Sequence, residues 1–137
     1  MIVKKFFRLA TVIHEYCHVL IIKLTPGCEV IQIEWDPIDS DCNAQVVWMN
    51  SPSVKAWQKI LICWAPVIPL LIGLLTQSVI LIIIGSLVAA GTGDPSIEDC
   101  DYDRITTHSN ITVSKVLYYT ELLLYVIGAG IIGTSVV

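Results

Sequence analysis

The sequence predicts a mainly α-helical membrane protein, with about four transmembrane helices and a small β-hairpin after the first helix. Three observations carry this expectation. Hydrophobic residues make up 55% of the 137-residue chain and charged residues only 15%, with a mean hydropathy of +0.73; soluble domains hold about 45–50% apolar and about 25% charged residues. The apolar residues gather in long runs, and a bilayer span needs about 20 of them. A short stretch of alternating apolar and polar residues, broken by turn formers, follows the first run. There is no internal repeat or low-complexity linker, so residues 1–137 read as a single membrane domain.

The first apolar segment covers residues 6–24, FFRLATVIHEYCHVLIIKL, and Pro26-Gly27 stops it. Lys4, Lys5 and Arg8 stand at its start in the manner of a signal peptide, but no small-x-small site follows, so it reads as a retained span. The same bases favour a cytoplasmic N-terminus. Residues 29–35, EVIQIEW, alternate, as less cleanly do residues 45–49, QVVWM. The turn-rich DPIDSDCN between them completes a hairpin signature. Alternation puts Ile31, Ile33 and Trp35 on the face that meets protein or lipid, with Val30, Gln32 and Glu34 opposite.

Pro52 opens a second helix, with Ser51 or Ser53 as cap, and Pro66 and Pro69 within WAPVIP should kink it. After Thr76-Gln77-Ser78 comes VILIIIGSLVAAG, ending at Gly91-Thr92-Gly93-Asp94-Pro95. This run is short for a span and is expected to tilt or to end at a water-filled cavity. Residues 94–114 read as a polar loop, with Glu98, Asp99, Asp101 and Asp103 as solvated acids. Residues 115–137 form the fourth apolar segment.

The net charge is −4 and no basic cluster could track a phosphate backbone, which argues against nucleic acid as a partner. The expected partner is the lipid bilayer, and the expected location is integral and multi-pass, in the cell membrane of a prokaryote. None of the five cysteines has zinc-knuckle spacing. Cys17 and Cys63 read as small hydrophobes; Cys28 and Cys42 could pair in an oxidising compartment, with a reduced set as the default. The sequon at Asn110 is taken as chance.

The chemistry lies in His14-Glu15-Tyr16-Cys17-His18, an HExxH sequence. On a helix, positions i and i+4 stand about 40° apart around the axis and about 6 Å apart along it. Both imidazoles can then grip one zinc ion, and Glu15 can act as the catalytic base on a zinc-activated water. Three ionisable groups in an apolar helix are costly, about 2.5–3.5 kcal/mol for each charge at a bilayer centre, and so point to function. The competing reading is a helix-packing hydrogen-bond cluster.

Catalytic zinc takes three protein ligands and leaves one position open. Asp94 is the preferred third ligand, because it ends an apolar run where glycines permit close backbone approach. Glu121, within the fourth segment, is its main rival; His108 and the loop acids are further candidates.

The order of these pieces resembles the site-2 protease family of intramembrane metalloproteases, and in particular the small membrane zincins related to it. HEYCH at 14–18, the EVIQIEW…QVVWM hairpin, the WAPVIP helix and GTGDP with Asp94 match in order over about residues 6–100. The resemblance implies a zinc-dependent endopeptidase that cleaves membrane-embedded or membrane-adjacent peptide segments. Here Asp94 precedes proline, where the family carries Asp-Gly. The alternatives are a non-catalytic membrane protein with a structural zinc site, and a proton or metal relay subunit.

Overall fold

The computed structural model describes residues 2–35, 44–96 and 100–136, with side chains from Arg8 onward. The chain is mostly helical with one two-stranded antiparallel sheet. Helix α1 (Ile2–Leu24) runs until the turn at Thr25–Gly27, where Gly27 takes φ 86°. Strands β1 (Cys28–Trp35) and β2 (Ala44–Asn50) then pair antiparallel, as the alternation predicts. Cys42 lies outside the described residues, and with it the Cys28–Cys42 pairing.

The hairpin's faces differ from the expected ones. Val30 pairs with Trp48 but Gln32 pairs with Val47, so Ile31 is an extra residue in β1. A bulge of one residue resets the alternation. Val30 and Ile33 therefore share the inner face, packing on Val19 and Ile22 of α1, on Val46, and on Ile62. Ile31 and Trp35, expected with Ile33 on the face that meets protein or lipid, are about half exposed, at 54% and 49%.

Helix α2 (Ala56–Trp64) and helix α3 (Ile68–Thr76) are joined by a 3-10 turn over Ala65–Val67. Pro66 and Pro69 sit in the first positions of the 3-10 turn and of α3, where a missing N–H costs least. Gln77, at φ 54°, ends α3, and Ser78 caps helix α4 (Val79–Ala89). The two helices fold back on each other closely: a Cβ on Gly85 would stand 2.6 Å from the Leu70 backbone. A 3-10 turn over Ala90–Thr92 closes α4.

The expected loop at 94–114 contains helix α5 (Asp101–His108), and helix α6 (Ile111–Val136) starts four residues earlier than predicted. Asp101 and Asp103 complement the helix dipole in the first turn of α5. Tyr102 and Ile105, one turn apart, bury against Cys63 and the first half of α6. On α6 the buried residues are Ser114, Glu121 and Gly128, one per seven residues, so a single seam faces the protein.

Of the four expected spans, two helices are long and apolar enough to cross a membrane, Ala56–Thr76 and Ile111–Val136. The third run forms a helix over Val79–Thr92 that is apolar but shorter. Helix α1 is long enough, but Lys4, Lys5, Arg8, Glu15 and Lys23 lie within it.

Candidate metal centre

His14, Glu15 and His18 are all buried in the middle of α1, at 4%, 4% and 6% exposure. The two imidazoles share one helix face, as the i, i+4 spacing predicts. Their Nε2 atoms stand 3.3 Å apart.

Each ring is fixed from behind by a backbone carbonyl. His14 Nδ1 donates to Val88 O at 2.7 Å, and His18 Nδ1 donates to Ile62 O at 2.7 Å. A carbonyl oxygen can only accept, so both hydrogens belong on Nδ1 and both neutral rings present an Nε2 lone pair inward. Val88 lies in the last turn of α4 and Ile62 in the last turn of α2. The ends of two helices thereby orient the pair.

The acid that joins them is Asp101, the first residue of α5. Its Oδ2 lies 2.8 Å from His14 Nε2 and 3.2 Å from His18 Nε2, and its Oδ1 lies 3.1 Å from His18 Nε2. At 8% exposure Asp101 is no solvated loop acid. Burial alone would raise its carboxyl, but the pull of His18 and His14 and their hydrogen bonds hold it well below the usual carboxylate range. Among the described residues, His14, His18 and Asp101 form the one group placed to hold a metal ion, with their ligand atoms within 4.8 Å of one another.

Asp94, the expected third ligand, is not in this group. Its Oδ1 accepts hydrogen bonds from the backbone N–H of Ser96 at 2.7 Å and from the Ser96 hydroxyl. It closes a turn instead of reaching the histidines. The physical reason is that the chain continues past Asp94 into α5, which carries a different carboxylate back to α1. Glu121 is also outside the group. Its Oε1 accepts from Thr92 Oγ1 at 2.7 Å and Tyr102 OH at 2.9 Å, and its Oε2 accepts from Tyr125 OH at 2.7 Å. His108 packs its ring 6.1 Å from that of Trp48, and Glu98 and Asp99 lie outside the described residues.

The glycines before Asp94 serve another contact. A Cβ on Gly91 would stand 2.8 Å from His14 Nδ1, so the bare backbone there is the wall against which the imidazole rests. Arg104, one turn along α5 from Asp101, donates to Gln45 Oε1 at 2.8 Å and ties α5 to β2.

Glu15 differs from its neighbours. Its carboxylate is not among the three converging groups, and the residue is 4% exposed. The centre thus combines two imidazoles and a converging carboxylate with a second buried carboxylate on the neighbouring residue of α1.

Compared with known proteins, the chain matches no family model, no curated protein and no solved structure.

Proposed function

We propose that this chain is an integral-membrane zinc endopeptidase of the site-2 protease kind, with His14, His18 and Asp101 as metal ligands and Glu15 as general base. The observation that carries the reading is the convergence of His14 Nε2, His18 Nε2 and the buried Asp101 carboxylate, all within 4.8 Å of one another. With each Nδ1 hydrogen committed to a backbone carbonyl, neutral imidazoles would turn both Nε2 lone pairs toward a cation beside the carboxylate. Ligand atoms on a tetrahedral zinc with bonds of about 2.0–2.1 Å stand about 3.3 Å apart. The separations among the two Nε2 atoms and Asp101 Oδ2 are 3.3, 2.8 and 3.2 Å, close enough for the residues present to fit that ion. The second-sphere bonds fit as well, since metal-binding histidines commonly donate their other N–H to a carbonyl.

A structural zinc site would be closed by a fourth protein ligand. Among the described residues no cysteine joins the group, which leaves a position for water. Two histidines and a carboxylate also suit iron; Glu15 favours hydrolysis, because a carboxylate on the residue next to the first histidine is placed for proton transfer to and from a metal-held water. Bound zinc would supply Lewis-acid polarisation of a water and of the scissile carbonyl. The Glu15 carboxylate takes the proton that the water loses as its oxygen adds to the carbonyl carbon. It returns that proton to the amide nitrogen as the C–N bond breaks.

The membrane setting is supported by the outer surface. Leu75, Ile80, Tyr119, Leu123 and Val126 are 57–85% exposed on three helices, a spread of apolar surface that a water-soluble monomer rarely shows. A peptide substrate held as a strand against the hairpin would lie next to α1, since Val46 packs on Val19 and Ile22, one turn beyond His18.

The test is Glu15→Gln in detergent-solubilised protein supplied with a membrane-segment peptide. Hydrolysis should fall at least about 100-fold, the range of a lost general base, while zinc content stays at the wild-type level. Unchanged hydrolysis would overturn the assignment of Glu15, and absence of zinc from the wild type would overturn the metal centre.

A further inference from the structure

We infer that Glu121 is a positioning residue for this centre, setting through Tyr102 and Thr92 where Asp101 stands relative to His14. The inference rests on the metal-centre reading above.

Glu121 is 3% exposed on the buried seam of α6. Three hydroxyl groups lie within hydrogen-bond distance of its carboxylate, those of Thr92 and Tyr102 sharing their single hydrogens with the Ala89 and Leu117 carbonyls, so its partners are hydroxyls and not the metal-binding group. Two of those donors share Oε1, and each is the chain neighbour of a part of the centre. Tyr102 follows Asp101. Thr92 follows Gly91, the residue against which the His14 ring rests. One carboxylate oxygen thus pins both the arm that carries the acid ligand and the wall behind a histidine ligand.

Asp101 needs such support. Helix α5 has eight residues, and its N-cap makes no side-chain capping bond. A helix that short does not hold its place by its own hydrogen bonds. Tyr102, which is fully buried, holds it to the rest of the protein together with Ile105 and Arg104. The Tyr102 hydroxyl accepts from Trp64 Nε1 at 3.1 Å while donating to Glu121, and its backbone oxygen accepts from Ser114 Oγ at 2.7 Å. Tyr125, by contrast, donates to the other Glu121 oxygen from the same helix, four residues on. It touches neither arm of the centre, which makes it an internal control.

The experiment is a Co2+ titration of the full chain in detergent, read by the visible absorption band and the dissociation constant. Outer partners of metal ligands are commonly worth about 10- to 100-fold in metal affinity. Glu121→Gln keeps the size of the side chain but turns an amide N–H2 toward hydroxyl donors. It and Tyr102→Phe should each weaken Co2+ binding by about 10- to 100-fold and shift the band. Tyr125→Phe should change affinity by less than about 2-fold and leave the band in place, because the Oε1 arm is intact. A purely structural role would lower the melting temperature of all three variants with the band unmoved. If Glu121→Gln does not fold, Tyr102→Phe decides alone. Wild-type affinity and band in Glu121→Gln and Tyr102→Phe would overturn this inference only. A wild type that binds no Co2+, or binds it equally with His14→Ala, would overturn the metal-centre reading and this inference with it.

Discussion

Replacing Gly91 with alanine should damage the metal centre without removing any ligand. The new Cβ would stand 2.8 Å from His14 Nδ1 and 3.1 Å from Cε1, against 3.4 Å for the start of ordinary contact. Ring or backbone must therefore move by 0.6 Å, the difference between 3.4 and 2.8 Å. The backbone is the stiffer partner, because Thr92 beside it is bonded to Glu121 Oε1 at 2.7 Å. If the ring moves instead, the 2.7 Å bond from Nδ1 to Val88 O lengthens. Overpacking of this kind costs about 1–3 kcal/mol, and weakening a buried hydrogen bond adds about 1 kcal/mol. A share of about 1.4 kcal/mol falling on the metal-bound state lowers zinc affinity about tenfold. Competition against a chromophoric chelator measures this directly. Gly130→Ala is the control, since its Cβ would meet nothing within 4 Å. Wild-type affinity in Gly91→Ala would refute the claim that this backbone supports the His14 ring.

Two further expectations follow from the same geometry. Zinc affinity should fall as pH drops from about 7.5 to about 5, because ligation requires neutral imidazoles and protons compete for Nε2. Asp101, held below the usual carboxylate range, stays an anion through that interval; a flat profile between about pH 5 and 7.5 would contradict imidazole ligation. On the outer face of α6, Leu123 is 57% exposed, so Leu123→Lys should disfavour insertion of residues 111–136 by about 2.5–3.5 kcal/mol in a microsomal insertion assay. Equal insertion of the two sequences would count against lipid contact at that face.

Much of this arrangement is legible in the sequence, and its gaps have physical causes. The histidine pair follows from HEYCH because helix geometry alone brings i and i+4 together. The hairpin follows from its alternation and turn residues, but the bulge at Ile31 does not. One inserted residue leaves composition unchanged and only reverses which side chains face inward. Asp101 was hidden by its surroundings: five carboxylates within DPSIEDCDYD look like solvated surface. The available signal was Tyr102 with Ile105, an apolar pair at helical spacing just after acids suited to a first turn. Reading that pair as a buried face carries the preceding acid into the protein. The glycines before Asp94 do mark a close approach. Its partner is the His14 ring, and a carboxylate arriving from α5 fills the place expected for Asp94.

The central claim is that His14, His18 and Asp101 hold one metal ion. Zinc content per chain, measured on purified wild type and on Asp101→Ala, Asp94→Ala and His14→Ala, tests it most directly. The account predicts about one zinc per chain in the wild type and in Asp94→Ala, and far less in the other two. Zinc retained by Asp101→Ala and lost from Asp94→Ala would contradict it.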